Sequence, residues 1–270
     1  MRNFKKLVKT LAVSTIGLGI VTGSISEAQA ASLVPQTEGE IQLTNLTCLT
    51  GNCIDTTDTT QTQASLGYSV KSLEYDFDGK GPKFGKSYLF SDDRGTANTY
   101  GFGINSIIFI ENDEGTRPVA GKNWFRPVAN VLDEQGNLVP FKDGRLEVGR
   151  FKFDFLGKTL KEVKLDFFDI EDEGFTGVTV NGEVLEGQAL LDMLLPAGPN
   201  SNIQTLVLKD VKDFVVQLGK PGPDSVFSKT GDGVSLQVSV PESETTVGLS
   251  VLAVAGVLTL KRRKRASQKA

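Results

Sequence analysis

Carboxylates are the most abundant groups in this chain that could do chemistry, and their spacing bears first on a hard cation. In Asp169-Ile-Glu171-Asp172-Glu173-Gly174, the residues Asp169, Glu171 and Glu173 stand at alternate positions before a glycine, a spacing that lets several carboxylate oxygens meet one calcium ion. The twelfth position from Asp169, where a calcium loop closes with a bidentate glutamate, is Val180, and the flanking residues read as strands. Asp76 with Asp78-Gly79, Asp92-Asp93 and Glu111-Asn112-Asp113-Glu114 are further acidic turns; acidic side chains in turns are ordinarily solvated. A structural calcium on Asp169, Glu171 and Glu173 is the one cofactor that the sequence offers.

Other chemistry is restricted by what is missing. The chain contains no histidine, which removes Ser-His-Asp and Cys-His nucleophile systems and the usual zinc ligands. No nucleophile elbow, P-loop or dinucleotide fingerprint occurs in a fitting context. A two-carboxylate glycosidase needs only acidic residues about 5–10 Å apart, yet no pair stands out by spacing. The reading is a non-enzymatic protein with no catalytic residue. Cys48 and Cys53 are the only cysteines; across a loop containing Gly51 and Asn52 they can close a local disulfide, stabilising by about 2 kcal/mol through loop entropy in an oxidising compartment. Sugar binding would need an exposed aromatic ring. Trp124, the only tryptophan, is the candidate contact, and alternation sets Trp124 and Phe125 on opposite faces, so that one can be core and the other open.

Both ends of the chain carry addresses. Arg2, Lys5, Lys6 and Lys9 precede an uncharged apolar run from Leu11 to Ile25, and Ala28-Gln29-Ala30 follows: the n-region, h-region and small-residue cleavage site of a signal peptide, with the cut before Ala31. At the other end, Pro241-Glu242-Ser243-Glu244 leads into the uncharged stretch Val247 to Leu260 and then Lys261, Arg262, Arg263, Lys264 and Arg265. An apolar helix stopped by such a cluster would rest in the membrane with the cations on the cytoplasmic side. Snorkelling of the flanking cations compensates for its shortness.

The stretch Val240-Pro241-Glu242-Ser243-Glu244-Thr245-Thr246-Val247-Gly248-Leu249, with the apolar helix and basic terminus, resembles the PEP-CTERM sorting signal in its cyanobacterial form. Ser243 stands where the family usually has its second proline. The resemblance implies recognition by an exosortase after the signal peptidase has acted, a transient membrane anchor, and then placement at the cell surface or in an exopolysaccharide-rich matrix. Leu146-Glu147-Val148-Gly149-Arg150-Phe151 further resembles the signature of the LEVG family of PEP-CTERM proteins, which implies no activity.

Of the 29 Lys and Arg and 33 Asp and Glu, ten basic and one acidic lie in these two ends. That leaves 19 against 32 in residues 31–246, a net charge of −13 that repels nucleic acid and suits basic or divalent-cation partners. Residues 31–65 are polar and Thr-rich and read as a loosely held arm carrying the disulfide. From 66 to 240, short runs rich in Val, Ile and Phe alternate with Gly, Asp, Asn and Pro, the pattern of an all-β antiparallel sandwich of nine or ten strands, jelly-roll-like, with no fixed repeat. Its clearest strand is 145–155, where Phe151, Phe153 and Phe155 share a face and Gly149 permits a bulge. Asn181-Gly182 reads as a hairpin turn within 178–184, and 188–195 as one short helix. The leading expectation is a structural or adhesive surface protein. A calcium-assisted carbohydrate-binding module is the alternative.

Overall fold

The computed structural model describes residues 30–60, 67–74, 86–93, 98–102, 105–109, 122–132, 138–140, 147–171, 176–181, 194–219 and 233–241. The expected signal helix and C-terminal helix, the expected helix at 188–195 apart from its last two residues, and positions 182–184 of the expected hairpin lie outside them. Among the described residues every regular element is a strand, and no helix is long and apolar enough to cross a membrane.

In chain order the strands are β1 (Ala30–Ser32), β2 (Gly39–Ile41), β3 (Cys53–Ile54), β4 (Ser69–Leu73), β5 (Ser87–Asp92), β6 (Asn98–Phe102), β7 (Asn105–Phe109), β8 (Trp124–Leu132), β9 (Leu138–Pro140), β10 (Gly149–Asp154), β11 (Leu160–Phe168), β12 (Gly177–Val180), β13 (Ile203–Val211), β14 (Asp213–Leu218) and β15 (Ser235–Pro241). The larger sheet runs β13-β11-β15-β8-β5-β2-β3, with β1 beside β15 and β9 beside β8; the smaller runs β12-β14-β10-β4; β6 and β7 pair on their own. Pairing is antiparallel throughout except between β2 and β3. The described part is therefore all-β, with sheets almost wholly antiparallel, in keeping with its short β-branched and aromatic runs.

One core gathers apolar residues from both sheets. Phe151, Phe153 and Phe155 all point into it from β10 and the residue after it, as their period of two demands. Phe153 lies opposite Phe214 of β14 and stacks on it, the ring centroids 4.8 Å apart and the planes within 10°. Phe125 of β8 reaches the same ring from the larger sheet at 5.5 Å. These rings cross the gap between the sheets. Burial of such side chains contributes roughly 1.5–3 kcal/mol each.

The larger sheet is covered on its other face as well. Tyr88 and Phe90 of β5 and Val128 of β8 form a second cluster with Ile107 and Phe109 of β7, and Tyr100 of β6 packs against it. With β8 facing both ways, Phe125 and Ala129 belong to the main core while Val128 joins this outer cluster. Every residue of β5 is consequently buried. Its sequence Ser-Tyr-Leu-Phe-Ser-Asp alternates little, in keeping with a strand covered on both faces.

Two expectations are corrected. The polar segment 31–65 is not a loosely held arm in its described part: β1, β2 and β3 are strands of the larger sheet, and Leu33, Val34, Ile41 and Leu43 are buried in the main core. Four apolar residues dispersed among threonines are enough once neighbouring strands fix their direction. Nor does Gly149 make a bulge, because the register of β10 on β14 runs unbroken from Gly149 opposite Leu218 to Asp154 opposite Asp213. Glycine is needed there for space. A Cβ on residue 149 would sit 2.6 Å from the Phe151 ring and 2.8 Å from Cβ of Ser87 on β5.

Gly149→Ala should accordingly destabilise the domain by about 1–3 kcal/mol, the usual cost of overpacking. A lower urea midpoint at unchanged slope would register it.

Candidate functional site

The densest polar constellation among the described residues is inside the protein. Arg126, on β8 and buried at 1 % exposure, donates from Nη1 to Oδ2 of Asp92 at 2.6 Å and from Nε to Oε2 of Glu147 at 2.9 Å; Nη2 donates to the other oxygen of Glu147. Asp92 ends β5, Glu147 precedes β10, and the Phe109 ring of β7 lies 4.1 Å from the guanidinium carbon. One cation thus joins two sheet strands, the segment entering the smaller sheet, and the β6–β7 layer. Burial alone would lower the Arg126 pKa, but the charges of Glu147 and Asp92 raise it further than burial lowers it, so the guanidinium stays charged.

Glu147, Val148 and Gly149 of the LEVG motif therefore each have a packing role. Glu147 holds Arg126, Val148 is in the main core, and Gly149 gives β10 its close approach to β5. Gly233, just before β15, belongs to the same device: a Cβ there would fall 2.1 Å from Cβ of Glu147 and 2.3 Å from its carbonyl oxygen. The carboxylates that converge on Arg126 are tied up by its donors, which suits a structural role.

Asp169 and Glu171 are not gathered round a common point with a third acidic ligand among the described residues, and Glu173 lies outside them. Asp169 is buried with a left-handed φ of 69°, and its Oδ1 accepts the N–H of Ser201 at 2.8 Å while its own N–H donates to Asn202 O. It fastens the turn that leads into β13. The acidic oxygens that do approach one another belong to Glu38, Asp92 and Asp93, all within 4.8 Å, and Asp92 there already serves Arg126.

Cys48 and Cys53 form the expected disulfide, with Cα atoms 5.9 Å apart. It closes the loop whose Leu49 and Thr50 N–H groups donate to the two oxygens of buried Glu40 at 2.9 and 2.8 Å. Burial raises the Glu40 pKa, and those two N–H groups oppose the rise. Trp124 is 2 % exposed, its ring 5.8 Å from that of Phe168, and Phe125 is fully buried. The expectation that one of the two could lie open is corrected. Both faces of the larger sheet are covered at this point, so Trp124 presents no ring to a sugar.

The two expected processing points meet in the fold. β1 pairs with β15 so that Ala30 faces Pro241, Ala31 faces Val240 and Ser32 faces Ser239. The next residues are held firmly: Leu33 N–H donates to Val238 O at 2.7 Å, the buried Tyr68 hydroxyl donates to Leu33 O at 2.5 Å, and Ser91 Oγ and Asn123 Nδ2 both donate to Pro35 O. Nothing in the spacing of residues 30–35 suggests this, because the partners lie more than 30 residues away. No family model, curated protein or solved structure matches the chain.

Two measurements probe these contacts. Arg126→Met should cost about 3–5 kcal/mol by removing the cation shared by two buried carboxylates, and adding Asp92→Asn with Glu147→Gln should recover part of it in urea titrations. Burial raises the Tyr68 pKa above the ordinary value near 10. The unfolded chain then loses that proton first, so this contribution is intact below about pH 10 and declines as pH rises, by up to about 1.4 kcal/mol per unit. Tyr68→Phe should flatten the fall in unfolding free energy between roughly pH 10 and 11.

Proposed function

We propose that this chain is an exported, non-enzymatic surface protein: carried across the membrane by the signal peptide ending at Ala30, held by the apolar segment 247–260, and sorted by an exosortase into an exopolysaccharide-rich envelope, where it contributes structure or adhesion. The observation that carries this reading is a strand pairing. Ala30, the last residue of the expected signal peptide, faces Pro241, the first residue of the sorting motif, as antiparallel neighbours.

That arrangement suits a domain whose two ends face one membrane. Antiparallel partners stand about 4.5–5.5 Å apart at Cα, so the signal peptide and the tail would leave the fold side by side. The Cys48–Cys53 disulfide is in keeping with an oxidising, exported setting. The pairing of first strand with last, and of strands distant in the chain, also favours the jelly-roll-like form of the sandwich. With Trp124 enclosed, the carbohydrate-binding alternative loses the aromatic contact on which it relied.

The test is the intact mass of the native protein, recovered separately from membranes and from the extracellular matrix of its host. A matrix species running from Ala31 to the neighbourhood of Pro241 is expected. A mass running through Ala270 and confined to the membrane would replace sorting with simple tail anchoring.

A further inference from the structure

The bond that a signal peptidase would hydrolyse, Ala30–Ala31, lies inside a β-ladder of the finished fold. Its partner strand, β15, is the last of the described strands in the chain. We infer that closure of the fold and removal of the signal peptide compete for the same segment, so that the cut must be made before β15 docks; the arrival of the last strand ends the period in which the first can be processed. This rests on the signal-peptide reading of Ala28 and Ala30 given above.

The chemistry is ordinary hydrolysis: water adds across the peptide bond, leaving a carboxylate on Ala30 and an ammonium on Ala31. Access is what the fold controls. A protease cuts a folded substrate through its opened state, at a rate scaled by the population of that state. To present Ala31 and Ser32 to an enzyme, β1 must leave Val240 and Ser239. The Leu33–Val238 hydrogen bond then strains, and beyond it Leu33 and Val34 are buried at 1 % exposure, with Tyr68, Ser91 and Asn123 holding the carbonyls of Leu33 and Pro35. Fraying is cheap at a strand end but not past these anchors.

Topology also sets a clock. Synthesis of the residues between Ala31 and Pro241 takes roughly 10–40 s at about 5–20 residues per second. During that interval β1 has no β15 to pair with. The neighbouring position on β15 cannot be fully taken by β8, which meets β15 only where Leu236 faces Phe125. Residues 238–241 of β15 are left for β1.

The experiment uses the full 270-residue precursor and purified signal peptidase in detergent micelles, reading the appearance of an Ala31 N-terminus by mass spectrometry. Precursor diluted from urea directly into the enzyme should be cut at least about 100-fold faster than precursor allowed to fold first. Leu33→Gly/Val34→Gly, which loosens the anchors without altering the residues from Ala28 to Ser32, should raise cleavage of the folded precursor at least tenfold while circular dichroism shows the sheets retained. Equal rates for folded and unfolded wild type would overturn the inference and leave the signal peptide standing, as would a doubly substituted folded precursor no faster than wild type. Absence of cutting at Ala30–Ala31 in either state would overturn the signal-peptide reading and the inference with it.

Discussion

The guanidinium of Arg126 is the point on which the layers of this protein depend. It sits on β8, in the middle of the larger sheet, and through Asp92, Glu147 and Phe109 it binds β5, the approach to β10, and the β6–β7 pair that covers the outer face. A buried ion triad is weak as a source of net stability, because desolvation offsets most of the Coulomb attraction. Its contribution here is better understood as geometric. A planar donor with fixed directions accepts only one placement of two carboxylates, and this sets how β5, β8 and the Glu147 segment sit against one another.

Around that point the packing leaves little freedom. Gly233 is pressed against Glu147, and Gly149, two residues further on, faces Ser87 and Phe151. The contact of Phe125 with Phe153 then brings the smaller sheet onto the larger. Charge and aromatic burial together organise the outer face of the larger sheet, and apolar burial alone the inner one. Both faces being occupied explains why the candidate binding residue, Trp124, is enclosed: its ring meets Phe168 in a layer already closed to solvent.

The closing strand pair brings the two ends of the described fold together. First and last strands of the described fold share a ladder, so the contact of highest sequence separation forms late, and its loop-closure cost falls due only when β15 has been made. In a protein delivered as an extended chain, such a design separates a processable state from a finished one. The disulfide loop at Cys48–Cys53 and the Glu40 carboxylate beneath it keep the neighbouring β2–β3 region in register.

Composition and short-range pattern determined the class of fold, the strand periodicity of 151–155 and the local disulfide, because each depends on residues within a few positions of one another. The same local pattern carries the two expected terminal addresses, on which the proposed function rests. What lay beyond it was every property that depends on strand order. Pro127 and the polar Arg126 and Asn130 hide β8 from any test of alternation, and the threonines of 31–65 hide three strands. Arg126 and Glu147 are 21 residues apart, and Ala30 and Pro241 are separated by almost the whole domain. Only tertiary structure brought them together, since a side chain's partner across a sheet is chosen by which strands lie side by side, and periodicity within one strand carries no record of that choice.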